Sequence, residues 1–274
     1  MAFSTGAFRR ATTRLCFATS TLLSLIGGSS ANMEGIAVGN SYTYYCRPDV
    51  SLKQLLDEGV GANATIHREP YRRGGATINS QKAHTAMLKN PNHNLNTLLD
   101  NKPDFLILQD QSQIPALGDS STQYRDCRDG VKFFRENIPA ETDLILYMTW
   151  GRRNSEWKGC FSNMQEDLKQ GYEDYRDYGL QATTGGSVYI APVGLAFQAV
   201  HDQYCANGTS TRECEEPGIS AGCAAATTGI TDFTSLYSGD GSHPACAGCY
   251  LSALVFYAIL TGRSPVGLSG NFQI

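Results

Sequence analysis

Strand-length apolar runs alternating with helix-length runs predict an α/β fold, a parallel sheet covered by helices on both faces. Two further observations point the same way. The strand-like runs carry apolar residues at consecutive positions, as strands buried on both faces do. Ser41, Gln109-Asp110-Gln111, Trp150 and Pro192 each fall just past the carboxyl end of such a run. Ligands of open α/β sheets bind at that rim.

The elements follow in order. Gly35–Val38 reads as the first strand. Asp49 or Ser51 caps a helix through Leu52, Leu55 and Leu56 that stops near Gly59. Ala64–Glu69 is a short second strand; Ile78–Lys89 is helical and Asn94–Asp100 forms another short helix. Phe105–Leu108 is the third strand and Leu144–Met148 the fourth. Between them Thr122–Glu136 is helical, with Val131, Phe133 and Phe134 inward. Met164–Leu180 reads as a polar, exposed helix, Ser187–Ala191 as the last strand and Leu195–Tyr204 as the helix after it. Residues 205–230 form a Gly/Cys/Thr-rich loop, too long for a compact connection unless its three cysteines staple it down. Cys246–Thr261 is a C-terminal helix with Leu251, Leu254, Val255 and Ile259 on its apolar side.

The first 31 residues read differently. Arg9, Arg10 and Arg14 precede an apolar run from Leu15 to Ile26 and a small-residue stretch ending at Ala31. That is the pattern of a signal peptide cut after Ala31, leaving residues 32–274 as a single domain without repeats. The run is too short and too rich in Ser and Thr for a membrane span. A mitochondrial transit peptide is the rival reading, because no acid precedes Glu34. Beyond residue 31 there are 19 Lys and Arg against 26 Asp and Glu, a net charge of −7. An acidic body without basic clusters argues against nucleic acid as a partner. Eight cysteines remain past Cys16, an even count that suggests up to four disulfides in an oxidising compartment. The sequons at Asn63 and Asn207 fit the same compartment. The expected location is secreted or the lumen of the secretory pathway.

Two short motifs carry the chemistry. Ile36-Ala37-Val38-Gly39-Asn40-Ser41 is an apolar strand running into a tight turn, which projects the Ser41 hydroxyl past the strand end. Asp240-Gly241-Ser242-His243-Pro244 precedes the C-terminal helix. Asp240 sits three residues before His243, close enough in a turn to accept a bond from one imidazole nitrogen. Together they supply a nucleophile, a base and an orienting acid, the set needed for acyl transfer. Read alone, Asn40-Ser41 is also an ordinary cap and His243 an ordinary surface residue. Gly74-Gly75 can present a backbone N–H without side-chain obstruction, and Leu108-Gln109-Asp110-Gln111-Ser112 places two amides and an acid at a strand end. Trp150 is a candidate wall for a sugar or acyl group and equally a candidate cap on the core; Tyr42, Tyr44 and Tyr45 are candidates for lining the cleft or for packing. Cys246 and Cys249 have redox or zinc spacing, but a single pair on the first turn of a helix favours structural disulfides. His67, His84, His93 and His201 show no metal spacing.

The set resembles the SGNH or GDSL-type esterase and lipase superfamily, whose four blocks occur in this order. They are Gly-Asp-Ser with the nucleophile, a glycine, Gly-x-Asn-Asp, and Asp-x-x-His. Here Gly39-Asn40-Ser41, Gly75, Gln109 to Ser112, and Asp240 to His243 are similar to them. The stretches "VGNSYTYY", "GGATI", "DFLILQDQSQIP", "LYMTWGRR", "APVG" and "GDGSHPACAGCYLSALVFYAILTG" resemble one branch of that superfamily, and the likeness spans roughly residues 35–263. Two departures stand out: Asn40 replaces the usual aspartate, and the third block lacks its asparagine.

The resemblance implies a three-layer α/β/α sandwich with about five parallel strands, no metal and no cofactor. It implies Ser41, His243 and Asp240 as the catalytic triad, and backbone oxyanion donors at Ser41 and Gly75. Gln111 stands by position for the missing asparagine, with Gln109 the second choice; Asp110 and Trp150 are candidate substrate-binding residues. The expected activity is hydrolysis of short acyl esters, small-molecule or carbohydrate-borne. A non-catalytic glycan-binding protein on the same fold and an acyltransferase are the alternatives.

Overall fold

The computed structural model describes residues 32–68, 73–80, 94–153, 158, 160–204 and 232–269. The expected leader, the sequon at Asn207, the 205–230 loop and most of the expected Ile78–Lys89 helix lie outside them; residues 78–80 are helical.

Five strands form one parallel sheet: β1 (Met33–Val38), β2 (Ala64–His67), β3 (Phe105–Leu108), β4 (Asp143–Tyr147) and β5 (Val188–Ala191). Their order is β2-β1-β3-β4-β5. Val38 pairs with Leu108, Leu108 with Leu146, and Tyr147 with Ala191, so the carboxyl ends are level. The order reverses at β1, and the switch point for ligands lies between the exits of β1 and β3.

Helices of the described residues cover the sheet, among them α1 (Ser41–Cys46), α2 (Ser51–Val60), α3 (Asn94–Asp100), α4 (Thr122–Asn137), α5 (Phe161–Gly179), α6 (Val193–Tyr204) and α7 (Cys246–Thr261). The two-residue period of each strand sorts its side chains between two cores. Ala37, Phe105, Ile107, Ile145 and Tyr147 face α2, α6 and α7. Ile36, Val38, Leu106, Leu108, Leu144 and Leu146 face α3, α4 and α5. This is the expected three-layer α/β/α arrangement.

Three local expectations shift. α2 runs past Gly59 and ends at a left-handed cap on Gly61. α5 is not simply exposed: Phe161, Met164, Leu168, Tyr172 and Tyr175 form a buried stripe along it. α7 is buried on nearly every side, with Ala258 its one incompletely buried residue, as befits a helix apolar all round. Each buried Leu, Ile, Val or Phe there contributes about 1.5–3 kcal/mol relative to exposure.

Cys46 at the end of α1 is bonded to Cys249 in the first turn of α7, across 203 residues of sequence. Cys246 is also disulfide-bonded. Cys127 and Cys160 are free thiols, so the eight cysteines cannot make four bridges. Among the described residues no helix is long and apolar enough to cross a membrane, and no His/Cys/Asp/Glu group of three could hold a metal ion.

Candidate active site

The turn after β1 is held from three directions. Asn40 caps α1, its Oδ1 accepting the Tyr42 N–H at 3.2 Å. Its Nδ2 donates to the carbonyl oxygens of Ala76 at 2.9 Å and Asp110 at 3.4 Å. Its own N–H donates to Gln109 Oε1 at 2.8 Å. The Asn40 side chain therefore ties the exit of β1 to the exit of β3 and to the loop carrying Gly75. An ionised aspartate has no donor for two carbonyls, so asparagine is the residue this turn requires. A Cβ at Gly39 would overlap Thr43 Oγ1 and lie 2.7 Å from Gln109 Oε1, which leaves room for glycine alone.

Ser41 is the first residue of α1. Its Oγ lies 2.8 Å from His243 Nε2, and His243 Nδ1 lies 2.5 Å from Asp240 Oδ2. A carboxylate beside Nδ1 assigns the ring proton there and leaves Nε2 free to accept from the Ser41 hydroxyl. Asp240 Oδ1 accepts from Ser238 Oγ at 2.8 Å and from the Ser242 and His243 N–H groups, both at 2.9 Å. Partial burial pushes the Asp240 carboxyl up, but the bonds from the His243 ring, Ser242, Ser238 and the His243 backbone outweigh it. They hold the acid well below the usual carboxylate range.

The Asp240–His243 loop rests on an aromatic stack. Trp150 lies between Tyr42 (ring centroids 4.9 Å apart, planes 8° apart) and Phe197 (4.2 Å, 3°). Its Nε1 donates to the Ser242 carbonyl at 3.1 Å, and the Tyr42 hydroxyl shares a 2.6 Å hydrogen bond with Ser242 Oγ. The Arg153 N–H donates to the Gly241 carbonyl at 2.9 Å. Of the two readings the sequence left open for Trp150, cleft wall and core cap, its 0% exposure fits the second, and it is a pillar beneath the histidine.

The four residues expected to hold an oxyanion divide. Among the described residues nothing accepts from the Ser41 or Gly75 N–H groups. Gly75 sits in the left-handed region (φ 66°), in a loop stitched to the β3 exit by Ile78 N–H donating to Asp110 Oδ1 at 2.8 Å. The Gln109 amide is committed elsewhere: Oε1 accepts from Asn40 N and Thr43 Oγ1, and Nε2 donates to the Asp110 carbonyl. Gln111 is partly exposed; its Oε1 accepts Gln113 N–H at 2.8 Å and its Nε2 reaches Gln113 Oε1 at 3.3 Å.

Asp110, read from the sequence as a candidate substrate contact, is wholly buried. Its Oδ1 accepts from Ile78 N and Gln111 N, both at 2.8 Å, and its Oδ2 accepts from Tyr175 Oη at 3.2 Å. It positions the rim rather than facing the cleft. Burial pushes its carboxyl up to about 6, against the pull of those hydrogen bonds. The unfolded carboxyl titrates near about 3.9. Stability from this group is therefore complete below about pH 4 and is lost as pH rises through about 6. Asp110→Asn removes that titration. The wild type should lose about 3 kcal/mol relative to the variant between pH 4 and pH 7. Urea unfolding of both proteins across that range measures it; a pH-independent difference would refute the assignment.

Sequence reasoning left two parts of the site unassigned. The Asn40–Gln109 clip joins residues 69 apart, and no local pattern marks it. The Tyr42–Trp150–Phe197 stack is equally non-local. Tyr45, one of the tyrosines read from the sequence as cleft lining or packing, has its ring 5.2 Å from that of His243, and it follows Ser41 by one helical turn on the same face.

No family model matches the sequence, and no curated protein matches it. The fold is similar to that of several solved structures. One is a DUF4886 family protein from Bacteroides uniformis, with 18% identity, a TM-score of 0.58, and coverage of 87% of this chain and 89% of that one. Another is BT4096, described as a gut microbial diltiazem-metabolizing enzyme, with 13% identity and a TM-score of 0.53; 86% of this chain spans 48% of that one. A third is Axe2, an acetylxylan esterase from Geobacillus stearothermophilus, with 13% identity, a TM-score of 0.49, and coverage of 88% and 99%. At such identities the likeness is one of fold. The chain has an α/β fold, with a parallel five-stranded sheet between two helical layers, similar to that of the DUF4886 family protein.

Proposed function

We propose that this protein is a serine hydrolase of carboxylic esters. The observation that carries the reading is the relay of hydrogen bonds from Ser41 Oγ through the His243 ring to Asp240, at 2.8 and 2.5 Å. Ser41 Oγ attacks the ester carbonyl carbon while His243 Nε2 takes its proton. The carbonyl oxygen becomes an oxyanion that accepts from the N–H groups of Ser41 and Gly75, which have no other acceptor among the described residues. Gln111 supplies the third donor by turning its Nε2 from Gln113; the buried Gln109 holds the nucleophile turn instead. The tetrahedral intermediate collapses, the C–O bond to the alcohol breaks, and Nε2–H protonates the leaving oxygen. Water, deprotonated by the same nitrogen, then attacks the acyl-enzyme and frees Ser41.

Secretion belongs to the same reading. The Cys46–Cys249 disulfide and the exposed Asn63 support an oxidising, glycosylating compartment for residues 32–274 after removal of the leader. A short acyl group and a small or carbohydrate alcohol suit the site better than a lipid. The described residues expose only three large hydrophobic side chains, Tyr45, Leu180 and Val266, which do not form an apolar trench.

A fluorophosphonate probe tests the mechanism. One equivalent should attach to Ser41, located by peptide mass spectrometry, and hydrolysis of p-nitrophenyl acetate should fall in proportion to labelling. Labelling elsewhere, or full activity after labelling, would exclude Ser41 as the nucleophile.

A further inference from the structure

Tyr45 is the most exposed of the three large hydrophobic side chains, at 55%. Its ring lies 5.2 Å from that of His243 and 5.4 Å from that of Tyr44, with the two tyrosine planes 27° apart. The other two lie at the far end of the molecule. Leu180 follows α5 on the way to the amino end of β5, and Val266 lies beyond the carboxyl end of α7. Among the described residues Tyr45 is thus the one large exposed hydrophobic at the catalytic rim.

Its mounting is rigid. The next residue, Cys46, is bonded to Cys249, and Arg68 Nη1 donates to the Tyr44 carbonyl at 3.4 Å. Arg68 is itself held by Asp49, Nε to Oδ1, at 2.9 Å. On a backbone held at both neighbours, a tyrosine side chain has only two torsions to order on binding.

The position of the ring selects the part of the substrate it meets. His243 Nε2 must protonate the departing alcohol oxygen, so the atoms bonded to that oxygen pass beside the imidazole. Tyr45 flanks that imidazole and therefore faces the alcohol, not the acyl group. An exposed aromatic ring around which the described residues form no apolar trench matches a ligand with one apolar face and a polar edge.

We propose that Tyr45, backed by Tyr44, is a stacking platform for the pyranose ring of the alcohol, which makes the substrates acylated sugars. The proposal rests on Ser41 and His243 acting as described above.

The test compares 3-O-acetyl methyl β-xylopyranoside with ethyl acetate, which has no ring. In Tyr45→Ala the ratio of the two kcat/KM values should fall about tenfold, through KM for the sugar ester, and Tyr45→Trp should restore it. Binding of the intact xyloside to the Ser41→Ala protein, measured by calorimetry, should weaken by about the same factor when Tyr45→Ala is added. Equal losses on both esters would assign Tyr45 to steadying His243 and overturn the platform. A larger loss with phenyl acetate than with the xyloside would overturn the sugar in favour of an aryl alcohol. If the wild type hydrolyses neither ester, the esterase reading fails, and the calorimetric comparison still decides the platform.

Discussion

Ser41→Ala lowers kcat on p-nitrophenyl acetate by about 10⁴-fold or more, with KM little changed, because the lost oxygen bonds to substrate only in the reaction. His243→Ala falls as far, and the double variant falls little further, since the two groups act as one unit. Asp240→Asn gives the sharpest test of the relay. An asparagine keeps an acceptor for the Ser242 and His243 N–H groups but turns an NH₂ toward Nδ1. The ring proton is driven to Nε2, which then cannot take the proton of Ser41, and a loss of about 10⁴-fold is expected without unfolding. Asp240 is held well below the usual carboxylate range, so its own titration should not shape the rate above about pH 4. Retention of more than about a hundredth of the activity in folded Ser41→Ala would end the serine mechanism.

Cys46→Ser should destabilise the protein by about 2–5 kcal/mol, because the Cys46–Cys249 bond closes a loop of 203 residues that the unfolded chain must otherwise order. For a domain of this size the melting temperature should drop by about 5–15 °C. The bond also joins the short helix that begins with Ser41 to the helix that follows His243, so activity should fall more steeply than the folded fraction. Cys249→Ser should match it in both respects. Thermal melts and esterase assays of the two variants, beside the wild type with and without reductant, separate stability from alignment. An unchanged melting temperature would show that native packing alone holds the two helices together.

Much of this molecule is written in short stretches of its sequence. Strands such as Phe105–Leu108 are legible because burial on both faces demands an unbroken apolar run, a property of adjacent residues. The C-terminal helix, Cys246–Thr261, is legible for a similar reason. Ser41, and Asp240 with His243, could be singled out because each lies in a short turn at an element's end, where a chemical role and a backbone role coincide. The stripe on α5 was hidden because its buried face mixes Gln165, Gly171 and three tyrosines or phenylalanines with only two aliphatic side chains, and composition averages them into a polar helix.

What the sequence determined by itself was therefore the class of fold, the order of its strands and helices, and the residue types brought to the rim. Only the tertiary structure decided where long-range partners turn each side chain. It sent Trp150 inward, between Tyr42 and Phe197, and spent the Gln109 amide on the turn of Asn40. It left Tyr45 in solvent beside His243. The physical reason is range: periodicity and turn chemistry act over a few residues. The direction of a buried amide or ring depends on hydrogen-bond and packing partners such as Gln109, 69 residues from Asn40, or Ser242, 92 residues from Trp150.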